Sequence, residues 1–349
     1  MTDRLGPPTA FRPPMTPALV VRRAALERNL AAMQALCDAA GVRLRAHGKM
    51  HKCSTLGRRQ MELGAVGLCC QTVGEAEVYA AAGIADLLVT SPPAPWGPAR
   101  IAAAARASGA RMAVVADDAG QIERLSAAAV QAGVALGVLV DIDLGQHRTG
   151  VTPDKVADLA RRVADAPGLE YRGLQAYVGH LQHLPDLTAR AQAWTTACKA
   201  LSDLVGDLTA AGLAPEIVTG GGTGTFADDL ASSVFTELQA GSYAFMDVEY
   251  DACGSPDGGA WPFEPALFLA ASVVSANHKT HVTIDVGLKA HSVDGPPAKV
   301  VAGAADKSRW GAMGDEHGAI FHPATLGVLR EAGGDPLKFA AAISNVDGD

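Results

Sequence analysis

The sequence has no cysteine pair at C-x-x-C spacing, no apolar run of 18 residues and no stretch in which lysine or arginine is concentrated. Each absence closes off a class of protein. The six cysteines (Cys37, Cys53, Cys69, Cys70, Cys198 and Cys253) lack zinc-site spacing, and a chain of 349 residues is too large to need disulfide staples. They are expected to be reduced and structural. Without a long apolar run no helix can span a bilayer. The first residues, Met1-Thr2-Asp3-Arg4, lead into a proline-rich arm without the apolar core of a secretory signal, so a cytoplasmic location is expected. A net charge of −8, a pI near 5.7 and the missing basic stripe argue against nucleic acid or an anionic membrane as partner and leave a small molecule as the default.

What is present reads as an alanine-rich globular chain: 48% hydrophobic and 19% charged residues, with 38 glycines and 20 prolines spread along it. Short apolar runs near 42–46, 65–70, 86–90, 111–116, 135–142, 171–176, 215–219 and 236–240 alternate with helix-length segments at 53–63, 73–82, 99–107, 118–132, 153–164 and 187–211. Eight such units over about 200 residues favour a closed (β/α)8 barrel of the TIM type, with an open doubly wound sheet as the rival. From about Phe268 the rhythm changes. Leu269–Val274, His281–Asp285 and Lys299–Val301 are apolar runs separated by turns without helices, which reads as a β domain. The run Ala18–Val21 precedes the first barrel strand and has no place among the eight, so it is assigned to that domain. The expected organisation is a barrel over 26–265 and a β domain built from 1–25 and 266–349.

Active sites of βα barrels lie at the C-terminal ends of the strands, so the polar residues that follow each apolar run are the ones to inspect. Lys49 follows the first strand. A lysine there is desolvated, its pKa falls, and it becomes usable as an amine nucleophile toward a carbonyl. Taken alone it reads first as a paired or surface lysine. Context turns the reading: Thr219-Gly-Gly-Gly-Thr-Gly-Thr225 and Gly241-Ser-Tyr-Ala-Phe-Met-Asp247 follow strands seven and eight, where this architecture repeatedly places its phosphate site. After strand five, Arg148 can reach the barrel mouth or pair with Asp141 or Asp143. After strand six, Tyr177, His180 and His183 stand on one loop, open to metal binding or to a simple loop pairing.

Five ordered segments carry a family likeness: Arg45-Ala-His-Gly-Lys-Met-His-Lys-Cys53, Val66-Gly-Leu-Cys-Cys-Gln71, Gly145-Gln-His-Arg-Thr-Gly150, Thr219–Thr225 and Glu237–Asp247. Over about Thr16 to Gly318 the chain resembles the D-threonine aldolase family, whose relatives include 3-hydroxyaspartate aldolases and D-serine dehydratases. The resemblance implies an alanine-racemase-like fold, a homodimer and pyridoxal 5'-phosphate as cofactor. It makes Lys49 the Schiff-base lysine, has Gln71, Tyr177, Thr223, Gly224, Ser242 and Tyr243 hold the cofactor, and sets Arg148 against the pyridine nitrogen. It also implies a divalent metal (manganese, magnesium or zinc) near the substrate hydroxyl, with His183 as the candidate base.

The implied activity is aldol cleavage of a β-hydroxy-D-amino acid, D-threonine type, to glycine and an aldehyde. Gly220-Gly-Gly-Thr-Gly and Gln182-His183 favour this branch over dehydration of D-serine or 3-hydroxyaspartate. A non-catalytic pyridoxal-phosphate carrier is a third reading, against which the β domain argues. One departure stands out. The family's metal ligands come from a His-x-Asp or His-x-Cys pair some 30 residues beyond a segment like Asp315-Glu-His-Gly318, and after His322 no such pair follows here. The sequence is truncated, or the member lacks that site. For the 349 residues as they stand the expectation is cofactor binding with little metal-stimulated aldolase activity and no replacement site among His47, His51, His180 and His183.

Overall fold

Eight strands, all parallel, close on themselves in the order β2 to β9 in the computed structural model, which describes residues 15–292 and 295–325. The strands are β2 (Arg43–His47), β3 (Gly67–Cys70), β4 (Asp86–Val89), β5 (Arg111–Ala116), β6 (Leu136–Asp141), β7 (Leu169–Ala176), β8 (Ile217–Gly220) and β9 (Glu237–Leu238). A helix, α1 (Arg23–Ala40), leads into β2. The connecting helices are α2 (Ser54–Leu63), α3 (Val73–Ala81), α4 (Gly97–Ser108), α5 (Ala119–Ala132), α6 (Pro153–Asp165), α7 (Leu187–Ala210) and the six-residue α8 (Phe226–Ala231). The open-sheet alternative is thereby excluded. The chain divides into two compact units. One is Arg23–Met246 with Tyr250–Pro265; the other joins the described residues before Arg23 and after Pro265 to Asp247–Glu249.

Local chemistry explains the helix ends. Asp118 accepts hydrogen bonds from the Gly120 and Gln121 N–H groups to start α5, and Gly133, at φ 63°, ends it in the left-handed conformation that a side chain would resist. Pro153 opens α6, whose Val156, Leu159, Ala160 and Val163 recur at helical spacing and are buried.

Along each barrel strand, residues two apart share the interior, and three layers result. The layer nearest the N-terminal ends is charged: Arg45 Nε lies 2.7 Å from Glu237 Oε2 and Arg45 Nη1 2.5 Å from Asp86 Oδ1. Gly67 stands beside this guanidinium because a Cβ there would fall 2.2 Å from Arg45 Nη1. The middle layer is apolar, formed by Cys69, Leu88, Val115, Leu139 and Ile217 with Ala113 packed against them. Each such buried aliphatic side chain contributes roughly 1.5–3 kcal/mol. The layer at the C-terminal ends is polar and forms the floor of the cleft described below.

In the second unit β1 (Ala18–Val21) pairs antiparallel with β10 (Leu267–Ala270), Ala18 facing Ala270 and Val21 facing Leu267. Strands β11 (Val273–Ser275), β12 (His281–Ile284), β13 (Arg309–Ala312) and β14 (Gly318–Phe321) form an antiparallel sheet in the order β11-β12-β14-β13. The run Leu269–Val274 is thus two strands and not one, broken where the Ser272 N–H donates to Asp285 Oδ1 at 2.8 Å. Lys299–Val301 is not a strand. Only Lys299 makes a single bridge, to Arg309, since Pro296 and Pro297 just before it have no N–H to donate to a ladder. Among the described residues no helix is long and apolar enough to cross a membrane.

Candidate active site

The C-terminal mouth of the barrel opens on a cleft of about 500 Å³. Its floor is a hydrogen-bonded layer of strand-end side chains. Gln175 Nε2 donates to Asp141 Oδ1 at 2.9 Å and to the Thr90 carbonyl at 3.0 Å, while Gln175 Oε1 accepts from Gln239 Nε2 at 3.1 Å. Thr90 Oγ1 donates to the Cys70 carbonyl at 3.1 Å, so its lone pair is left for His47 Nε2, also at 3.1 Å. The tautomer of His47 follows: the proton sits on Nε2, and Nδ1 accepts from the Lys49 N–H at 3.4 Å. Burial, with Lys49, His51 and Arg148 nearby, holds the His47 pKa well below the ordinary value, so this imidazole stays neutral. Burial likewise raises the pKa of Asp141 against the pull of its hydrogen bonds from Gln175 and Thr149.

Lys49 follows β2 in a single 3-10 turn, Gly48–Met50. The turn is clamped by Tyr79, whose hydroxyl donates to the Gly48 carbonyl at 2.8 Å, and a side chain at Gly48 would strike that ring at 2.7 Å. Lys49 Nζ reaches Gln71 Oε1 at 3.4 Å and lies 5.8 Å from the centre of the Tyr177 ring. Lys49 is exposed to solvent at the mouth of the cleft. Its amine lies among the walls of the cleft, and burial first, Arg148 second, lowers its pKa below that of an ordinary lysine. Gln71 is held in turn: Glu75, ion-paired with Lys52, accepts from the Gln71 N–H at 2.7 Å.

Arg148 lies over the Tyr177 ring, 5.7 Å from its centre, and makes no ion pair among the described residues. Both carboxylates that could have taken it are engaged elsewhere. Asp141 Oδ2 accepts from Thr149 Oγ1 at 2.7 Å, and Asp143 accepts from His147 Nδ1 at 2.8 Å and from the Gly145 and His147 N–H groups. The loop that carries Arg148 is pinned again where the Gly150 N–H donates to Asp117 at 2.9 Å.

The loops after β8 and β9 complete the wall. Gly221, Gly222, Thr223, Gly241 and Ser242 line the cleft together with Lys49, Gln71, Arg148 and Tyr177. The N–H groups of Gly221, Thr223, Gly241 and Ser242 take no protein acceptor among the described residues. These unspent donors and two hydroxyls suit a phosphate group. The two loops are tied where the Tyr243 N–H donates to Thr223 Oγ1 at 2.9 Å.

Three residues expected at the site are not among those that line the cleft. The Gly224 N–H is taken by Gln182 Oε1 at 2.9 Å, and the fully buried Tyr243 hydroxyl accepts from Gln60 Nε2 at 3.0 Å. His183 packs its ring on Tyr250, 4.3 Å between centres, and Tyr250 is the one that lines the cleft. Residues not anticipated are Met50, Thr90, Gln175, Gln239 and Tyr250, while from the sequence His47 is weighed only as a metal ligand. A polar glutamine inside an apolar strand run, as at Gln175 and Gln239, was the available signal for two of them. The imidazoles do not converge: His47 faces Thr90, His51 faces Gln60, His183 faces Tyr250. Among the described residues no group of three or more histidine, cysteine or acidic side chains is placed to hold a metal ion.

Residues 21–249 match the family model described as alanine racemase, N-terminal domain, and residues 266–334 match that of a putative serine dehydratase domain. The chain is 42% identical to a D-threonine aldolase of an Arthrobacter species over 308 residues, 87% of this chain and 79% of the relative. The chain belongs to the D-threonine aldolase family. A second member, the 3-hydroxy-D-aspartate aldolase of Paracoccus denitrificans, is also 42% identical, over 314 residues, 87% of this chain and 80% of that one. Among solved structures, the D-threonine aldolase of Filomicrobium marinum superposes with a TM-score of 0.83 at 39% identity, covering 88% of this chain and 82% of that one.

Proposed function

We propose that the chain binds pyridoxal 5'-phosphate through Lys49 and cleaves β-hydroxy-D-amino acids of the D-threonine type to glycine and an aldehyde by a retro-aldol reaction. The observation that carries this reading is the convergence, in one cleft, of a lysine amine of lowered pKa, an arginine without an ion-pair partner among the described residues and two glycine-containing loops whose donors are unspent among them. When bound, pyridoxal phosphate supplies a carbonyl carbon for amines and a pyridine ring that draws electrons from the substrate Cα.

The chain's own residues have separate tasks. Thr223, Ser242 and the neighbouring N–H groups would hold the phosphate, with Gly224 and Tyr243 giving the same loops their backbone course. Tyr177 and Gln71 flank Lys49. Arg148 would face the pyridine nitrogen and, because a guanidinium does not give up its proton, would donate a hydrogen bond there without protonating the ring. Lys49 Nζ, more readily freed of its proton than an ordinary lysine, can act as nucleophile and can carry a proton to or from the substrate Cα. His183 is the candidate for taking the β-hydroxyl proton as the Cα–Cβ bond breaks, with its ring oriented by Tyr250. The described residues do not assemble a donor set for the divalent metal that the family resemblance implies, and no step is assigned to one. The reading includes a homodimer, which sedimentation of the purified protein tests, and a cytoplasmic location.

Incubation with D-threonine decides the reaction. Glycine and acetaldehyde are expected; 2-oxobutanoate would transfer the assignment to a dehydratase, the activity named in the family model matched by residues 266–334. Cofactor held without turnover of a β-hydroxy amino acid of either configuration, with and without manganese, would favour a carrier.

A further inference from the structure

The glycine loop after β8 is held from beneath by a closed set of buried side chains. The Gly222 N–H donates to Asp229 Oδ2 at 3.1 Å and the Gly224 N–H to Gln182 Oε1 at 2.9 Å. Gln182 Nε2 donates to Thr225 Oγ1 at 2.9 Å, which leaves the Thr225 hydroxyl proton for Asp229 Oδ2 at 2.7 Å. Trp194 Nε1 completes the set by donating to Asp229 Oδ1 at 2.8 Å. Gln182, Thr225 and Asp229 are each no more than 1% exposed. A carboxylate buried to this degree without a cation is retained at a cost, offset here by three donors.

The glycines fit the same tether. A Cβ at Gly221 would fall 2.3 Å from Asp229 Oδ2, one at Gly222 would fall 2.4 Å from Gln182 Oε1, and one at Gly224 would fall 2.0 Å from the Gln182 carbonyl. The lack of side chains in this loop therefore serves contact with the layer below as well as approach from the cleft above. With two of its N–H groups drawn downward, the loop leaves Gly221 N–H, Thr223 N–H and the Thr223 hydroxyl at the cleft.

We propose that Asp229 and Gln182 are positioning residues of the phosphate cradle: they fix the backbone course of Gly220–Thr225 and thereby set the part of cofactor affinity that depends on the phosphate. The inference rests on the proposed binding of pyridoxal phosphate. Neither side chain lines the cleft, so neither touches the cofactor itself.

The test is a pair of affinities measured by absorbance titration on the full chain, one for pyridoxal 5'-phosphate and one for pyridoxal, which lacks the phosphate. In Asp229→Asn the amide opposes donors with a donor. In Gln182→Leu the Gly224 N–H loses its acceptor, which gives a second variant should the first fail to fold. Either folded variant is expected to lose about tenfold or more in preference for the phosphorylated form while its affinity for pyridoxal changes by less than about twofold. Parallel loss of both affinities, or an unchanged ratio, overturns the inference. Failure of the wild-type chain to bind either compound overturns the functional reading instead, so the two failures are told apart.

Discussion

Replacing Arg45 by methionine removes the cation from the interior of the barrel and leaves Glu237, fully buried, with only Arg43 within reach among the described residues, at 3.4 Å and on a side chain 44% exposed. Asp86 is affected less, because Arg111 remains beside it at 3.0 Å and it is partly solvated. Breaking a buried pair by removal of one partner costs roughly 3–5 kcal/mol, and the residual help from Arg43 puts Arg45→Met at the lower end, about 3 kcal/mol. Equilibrium urea unfolding measures it, followed by the fluorescence of Trp96, Trp194 and Trp261, all in the barrel unit. A further result follows from the same cause: adding Glu237→Leu should recover at least half of the loss, since the stranded charge is then gone. A loss below about 1 kcal/mol, or a double variant as unstable as the two single losses added together, would refute the reasoning.

Other expectations concern the site and its support. Lys49→Ala should fold yet lose the visible absorbance of bound cofactor, and borohydride reduction with peptide mapping should place the label on Lys49; a label on Lys52 or Lys289 sinks the assignment. Burial pushes the Asp229 pKa up to about 7, with Asp228 adding to the rise and Tyr177 and Cys198 within its field. Between the unfolded carboxylate range, near 4, and about pH 7 the folded chain holds a proton that the unfolded chain has released, so this group's contribution to stability grows as pH falls through that window. Asp229→Asn should flatten that part of the stability profile, and an unchanged profile in urea titrations would show that Asp229 does not titrate there. Gly67→Ala forces a methyl group against Arg45 and the Asp86 carbonyl, with an expected destabilisation of about 1–3 kcal/mol; a variant as stable as the parent would mean that the charged layer is looser than described.

The barrel was legible because its strands are short apolar runs bounded by turns, and because several helices between them carry a start or stop, as Asp118 and Gly133 do for α5. What escaped has physical reasons. The helix α8 is six residues long, too short for a helical period to show. The strands β13 and β14 read Arg-Trp-Gly-Ala and Gly-Ala-Ile-Phe, without alternation of polar and apolar residues, whereas Lys299–Val301 has the composition of a strand but follows two prolines. At the site, Lys49, Arg148 and Tyr177 and the loops that carry Thr223 and Ser242 could be picked out by their place just after barrel strands, whereas Gln71 came from the family resemblance; the structure gathers them in one cleft. Motif position names a segment of chain but not the direction in which it points. That is why Gly224 and Tyr243 are found facing the support, and why the floor residues within the strands went unread.

The pairing of β1 with β10 has a consequence in time. On a ribosome adding about 5–20 residues each second, β1 is made first and then has no partner for the roughly 250 residues that separate it from β10, some 12–50 s. Everything needed to close the barrel is translated within that interval. The second unit can be completed only afterwards, so its first strand waits as an exposed apolar edge while the larger unit folds between its two halves.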